Sequence, residues 1–173
     1  FFSADSQWLG FWQDGQLRKV SVNGGAAVVL CTAGVPTGAS WGADDTIVYG
    51  QPGAGAPGIW RVSASGGAPT QIVKADTGQQ VHGPQMLPGG RVLLFTLKPQ
   101  GVAWNKAQVV AQSLDTGKRQ VLAEGATDGR YLPTGHLVFM TTGALLAVPF
   151  DAAALKITGG PVPLVEGVLG PSG

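Results

Sequence analysis

The chain has 173 residues, enough for one domain with a real hydrophobic core. Apolar residues make up 44% and charged ones 12%, which excludes a disordered chain. A net charge of +1 with no run of Lys or Arg excludes a phosphate-tracking nucleic-acid surface, and no apolar run reaches the roughly 18 residues of a membrane-spanning helix.

Gly (28) and Pro (12) are abundant, which points to short strands joined by tight turns. No G-x-y period supports collagen. The lone Cys31 makes no internal disulfide and leaves the redox compartment open. In chain order the first predicted element is a turn and strand, "FSADSQWLGF" from Phe2. The same pattern returns as "WGADDTIVYG" from Trp41, "MLPGGRVLLF" from Met86 and "YLPTGHLVFM" from Tyr131. The small residue before each turn is Ala4, Ala43, Pro88 or Pro133, a period of about 40–45 residues.

A further strand follows each copy: "QLRKVSV" 16–22, "GIWRVSA" 58–64, "AQVVAQSL" 107–114 and "ALLAVPF" 144–150. Asn23-Gly24-Gly25, Ser65-Gly66-Gly67 and Asp115-Thr116-Gly117 supply hairpin chemistry next, with a longer version ending at Gly159-Gly160. A short last strand closes each unit: "AAVVLC" 26–31, "PTQIVK" 69–74, "KRQVLA" 118–123 and "VPLVEG" 162–167. These segments alternate by two or run apolar, so an α-solenoid of similar period is excluded. "DAAALK" 151–156 is the one predicted helical turn.

Four strands per unit at this period describe a β-propeller blade. We expect an all-β propeller segment of about four four-stranded antiparallel blades, approximately 1–33, 34–78, 79–125 and 126–173. Phe1-Phe2 begins inside an innermost strand, and Gly170-Pro171-Ser172-Gly173 stops where a further blade would start. The expectation is therefore a single segment of a larger propeller, with a closed four-blade ring less favoured. Its open edges favour self-association.

The pattern "F-S-x-D … I-W-R-V-S-x-x-G-G-x-P" resembles the TolB-type propeller repeat, a relative of WD-type repeats. Phe2-Ser3-Ala4-Asp5, Ile47-Val48-Tyr49, Ile59-Trp60 and Gly66-Gly67 stand at the matching places. The turn versions here are SADS, GADD, LPGG and LPTG, so no unit keeps the full Ser-Pro-Asp-Gly of that repeat. The last unit, "GALLAVPFDAAALKITGGPVPLVEGV", is similar to the propeller region of bacterial receptor-like serine/threonine protein kinases. That resemblance implies an extracytoplasmic (periplasmic or cell-surface) binding or sensing segment. The kinase signatures themselves are absent from the chain. Two alternatives remain open: the propeller of a prolyl-oligopeptidase-like serine peptidase, and a free-standing TolB-like periplasmic scaffold.

Strands in a blade run up and down, so the loop between the second and third strands lies on the face that carries the blade connections. That loop is long in the second unit, "GQPGAGAPG" 50–58, and in the third, "LKPQGVAWNKA" 97–107. We expect the two to lie side by side. Loops on a rigid scaffold commonly carry binding. The candidate binding residues are Trp104, Lys98, Asn105, Lys106, His82 and Gln51, an aromatic and basic patch, with His82 in a blade connection before Gly83-Pro84. An idle surface insertion is the plainer reading of the same loops.

No catalytic or metal constellation is legible, so we expect a non-catalytic chain with no cofactor and no metal. "GAGAPG" 53–58 matches G-x-G-x-x-G, but a strand rather than a helix follows it. His82 and His136 have no sequence neighbour suited to nucleophilic or metal chemistry and read as structural. Cys31 reads as a small hydrophobe. Asp5, Asp14, Asp44, Asp45, Asp76, Asp115, Asp128 and Asp151 mostly fall at turns, where Asp bonds nearby backbone amides. Asp44-Asp45 in particular reads as a turn without a demand for charge. Trp8, Trp41 and Trp60 read as packing between blades.

Overall fold

The computed structural model describes residues 1–52 and 56–168. The first three residues of the G-x-G-x-x-G match and the terminal Gly170-Pro171-Ser172-Gly173 lie outside the described residues. The fold is all-β: four antiparallel sheets of three to five strands. The chain divides into two compact units, Phe1–Asp76 with Gly83–Gln85, and Thr77–His82 with Met86–Gly173. No helix among the described residues is long and apolar enough to cross a membrane.

The first unit begins with β1 (Trp8–Gln13), β2 (Gln16–Ser21) and β3 (Val28–Thr32), in the order β1-β2-β3. Asp14 (φ 50°) and Gly15 (φ 77°) join the Gln13–Gln16 pair. Positive φ at both central residues makes this the two-residue hairpin turn that matches strand twist. Four strands were expected here and three form. Phe1-Phe2 is too short to count as a strand, yet it takes the place beside β1 through a Phe2–Leu9 bridge. The Phe1 ammonium donates to the Gly10 carbonyl (3.1 Å), and the Gly10 amide donates to the Phe1 carbonyl (2.7 Å).

The second sheet holds β4 (Ala39–Trp41), β5 (Thr46–Gln51), β6 (Gly58–Ser63) and β7 (Thr70–Lys74) in sequence order. Ile47, Val48 and Tyr49 are buried on both faces of β5. Ile47 and Tyr49 pack with Leu17, Leu30, Cys31, Trp41 and Val62 in the core of this unit.

The third sheet holds β8 (Gln79–Met86), β9 (Val92–Pro99), β10 (Gln108–Ser113) and β11 (Arg119–Glu124), ordered β11-β10-β9-β8, with a 3-10 turn (Trp104–Lys106) between β9 and β10; apart from Gly83–Gln85 it belongs to the second unit. The fourth holds β12 (Thr127–Leu132), β13 (His136–Thr141), β14 (Gly143–Asp151) and β15 (Lys156–Ile157), with β16 (Val162–Val168) also paired to β14. It therefore has five strands where four were expected. "DAAALK" forms no helical turn. Asp151 Oδ1 accepts from the Ala153 and Ala154 amides, Leu155 takes φ 52°, and the chain doubles back into the short β15. An aspartate that satisfies two amides in this way closes a tight hairpin. One core cluster of this unit includes Leu87, Leu94, Val109, Leu137, Phe139, Val148 and Phe150.

The repeat is visible in the backbone. The second turn residue is left-handed in all four copies: Ser6 (φ 57°), Asp45 (φ 57°), Gly90 (φ 69°) and Gly135 (φ 79°). A register shift also recurs early in the third strand place of three sheets, at Leu17/Arg18, Ile59/Trp60 and Val109/Val110. Such bulges increase the local twist.

Candidate functional site

The connection between β9 and β10 is built around Lys98, the penultimate residue of β9. Lys98 is only 8% exposed. Its ammonium donates to the Val102 carbonyl (2.8 Å) and stands 5.1 Å from the centre of the Trp104 ring. A buried ammonium needs such partners, because an unpaired charge away from water is costly. Lys98 thus ties the loop down and stands beside Trp104 with its charge turned inward. The 3-10 turn follows, closed by the Lys106 amide on the Ala103 carbonyl (3.0 Å) and the Ala107 amide on the Trp104 carbonyl (2.9 Å). Trp104 is half-buried, and Asn105 and Lys106 are exposed.

The Trp104 ring meets the His82 imidazole edge to face, with centres 5.5 Å apart at 77°. His82 lies on β8 itself, not in a blade connection, because extended pairing starts at Gln79. Its Nδ1 stands 3.1 Å from Asp128 Oδ1, an ion-pair distance without the alignment of a hydrogen bond. Each side chain keeps about a third of its surface in solvent, 32% for His82 and 34% for Asp128.

Asp128, the second residue of β12, holds φ 54°, and its amide donates to Thr96 Oγ1 (2.9 Å). Thr96 is fully buried. The His82 imidazole beside Asp128 holds its carboxyl below the usual carboxylate range, although burial works the other way. Arg130 follows on the same strand. Burial draws its guanidinium below its ordinary value, and the Asp128 charge opposes that. The chain of contacts runs Lys98, Trp104, His82, Asp128: an ammonium on an indole, the indole on an imidazole, the imidazole on a carboxylate.

Of the six residues singled out in the sequence, the structure brings Trp104, Lys98 and His82 together and sets Asn105 and Lys106 in the same turn. Gln51 belongs to the first unit. It ends β5, where its Oε1 accepts from the Gly34 amide (3.1 Å). In the sequence, Asp128 reads only as one of the turn aspartates, and Arg130 is not singled out. A signal for Asp128 was present: Gly38 and Gly83 occupy the same place in the two preceding repeats, with φ 92° and 56°. A left-handed place filled elsewhere by glycine marks a backbone demand that aspartate tolerates.

The remaining candidates serve the fold. His136 opens β13 with Nδ1 3.1 Å from the Thr134 carbonyl. Cys31 is buried with its Sγ 3.9 Å from Tyr49 Oη, and burial pushes both the thiol and the phenol up. Asp44 Oδ1 accepts from the Thr46 amide and Asp45 Oδ1 from the Trp41 indole, both at 3.1 Å. Gly58, the last residue of the G-x-G-x-x-G match, starts β6 against β7, with no helix after it.

No protein-family model and no curated protein matches the chain. Solved structures do. TolB from Acinetobacter baumannii superposes with a TM-score of 0.70 at 16% identity, over 96% of this chain and 43% of that one. A putative TolB from Agrobacterium tumefaciens gives 0.71 at 14% identity, over 97% and 66%. A prolyl endopeptidase gives 0.60 at 14% identity, over 88% and 27%. The chain thus spans less than two thirds of the length of each. At these identities the likeness is one of fold, and the four sheets match part of a β-propeller.

Proposed function

We propose that the chain is a non-catalytic binding or sensing segment of a propeller. In this reading it meets a protein or small-molecule partner with the end of the second unit that carries Trp104, Asn105 and Lys106. The observation behind it is the supported indole. Trp104 is fixed between the Lys98 ammonium and the His82 imidazole, with two exposed polar side chains following it. A pre-positioned aromatic with a polar rim is a common binding anchor, since little freedom is lost on contact. His82 faces an indole and a carboxylate rather than a hydroxyl or thiol.

The parent we favour is a bacterial receptor-like serine/threonine kinase with this segment outside the cytoplasm. The support is the resemblance of the 143–168 segment. A prolyl-oligopeptidase-like peptidase is the second reading, favoured by the endopeptidase superposition. A free-standing TolB-like periplasmic scaffold is the third, favoured by the two TolB superpositions. The coding sequence on both sides separates them: a kinase domain with an apolar span, a G-x-S-x-G hydrolase, or a leader alone. Self-association belongs to the same proposal, since β3 exposes Val28 and Val29, and β16 exposes Val162, Leu164 and Val165.

The binding face is tested with Asn105→Ala/Lys106→Glu, two exposed positions whose replacement leaves the core untouched. Immobilised wild type retains a partner from native cell extract, and the double variant retains at least about tenfold less, as truncation of an interface anchor region implies. Equal retention by both proteins, with equal thermal midpoints, overturns the assignment of this face.

A further inference from the structure

The first unit contains a cavity of about 240 Å³ lined by Asp5, Trp8, Lys19, Trp41, Asp45 and Ser63–Ser65. Its walls come from the turns before β1 and β5, from β2, and from the turn after β6. Trp8 and Lys19 share one face of the β1–β2 hairpin, because Trp8 pairs with Ser21 and Gly10 with Lys19. Trp41 enters from β4. The Lys19 ammonium stands 4.5 Å from the centre of the Trp8 ring and 5.8 Å from that of Trp41. Two indoles thus converge on one cation.

The carboxylates are arranged around it differently. Asp5 Oδ1 accepts from Ser3 Oγ and the Gln7 amide, and Asp45 Oδ1 accepts from the Trp41 indole. Both aspartates therefore spend one oxygen on their own turn. Neither forms an ion pair with Lys19 among the described residues. Ser3 and Gln7 hold the Asp5 carboxyl below its ordinary value, so it is ionised at neutral pH. Lys19 itself is half-buried on a flexible stem. Without its head group the cavity has two indole faces, two carboxylates and the Ser63 and Ser65 hydroxyls. Aromatic faces flanked by negative charge select cations, above all alkylated ammonium groups that shed water readily.

We propose that this cavity is a binding site for a small organic cation, an alkylated ammonium head group, and that Lys19 is its internal occupant in the free chain. The volume lies below the roughly 300–1,000 Å³ of sites for drug-sized ligands, so the ligand is a head group or a single side chain. Lys19 competes with it: the competent state is the one in which the ammonium has swung out, and apparent affinity falls by the fraction occupied. The site lies wholly within the first unit and stands independently of the Trp104 face.

The test is a tryptophan-fluorescence titration with tetramethylammonium chloride at constant ionic strength, with sodium chloride as the reference. Wild type shows a saturable change. Lys19→Met, which keeps the stem and removes the charge, binds about two- to fivefold more tightly, the ratio for releasing one exposed cation–π contact. Trp8→Ala loses the saturable change. Should Trp8→Ala fail to fold, wild type against Lys19→Met still decides, with circular dichroism confirming that both are folded. No saturable signal in either protein overturns the site. Weaker binding by Lys19→Met overturns the role of Lys19 as occupant.

Discussion

His82 Nδ1 and Asp128 Oδ1 stand 3.1 Å apart although the residues belong to the first strands of two successive sheets. The Asp128 carboxyl is held below its ordinary 3.8, first by His82. A carboxylate with a depressed folded-state value stabilises the fold at all pH above its unfolded value, and that contribution disappears as pH falls through the folded one. Asp128→Asn keeps the left-handed backbone, which Asn tolerates, and removes only the charge. The variant is therefore less stable than wild type in urea unfolding at about pH 5. The gap narrows as pH drops below 3.8. An equal gap at about pH 5 and pH 3 would remove the ion pair as its cause.

The left-handed turn residue of the repeat offers a second prediction. Ser6 has φ 57° where the third and fourth copies carry Gly90 and Gly135. A side chain in this region costs roughly 1–2 kcal/mol, which glycine avoids at some expense in chain entropy. Ser6→Gly raises stability by about 0.5–1 kcal/mol, and Gly90→Val lowers it by about 1–2 kcal/mol. Thermal midpoints measure both. A drop with Ser6→Gly would mean that its side chain, not its backbone, sustains the turn.

Gly58 is required by proximity. A Cβ there would lie 2.1 Å from the Val73 carbonyl oxygen and 2.7 Å from Gln71 Nε2, at φ 153°. The obstacle is backbone of the paired strand, which cannot move aside without breaking β6–β7 pairing. Gly58→Ala costs about 2 kcal/mol or more, in the range of strain at a special backbone position. Chemical denaturation of the variant checks this; a loss under about 0.5 kcal/mol, the scale of ordinary surface substitutions, contradicts it. The glycine that completes a nucleotide-like motif in the sequence thus serves strand packing.

The repeat, its turns and the positions of most strands were legible in the residues alone. Those features are written in neighbouring residues: alternation of apolar side chains, and residues that accept positive φ. Asp44-Asp45 was legible as a turn for that reason, and Ser6, Asp45, Gly90 and Gly135 share one backbone conformation. Where local signals were thin, the reading slipped. Phe1-Phe2 forms only a bridge, and the alanines of 152–154 follow Asp151 into a hairpin. Which side chains meet across strands was fixed by the folded arrangement. It turned Lys98 inward onto Val102 and Trp104, set His82 against Asp128, and placed Lys19 between Trp8 and Trp41. Such contacts depend on how strands pack together and where bulges shift their register. Those quantities are set by the packing of whole strands, and beside these sites the residues marked only the left-handed place that Asp128 fills.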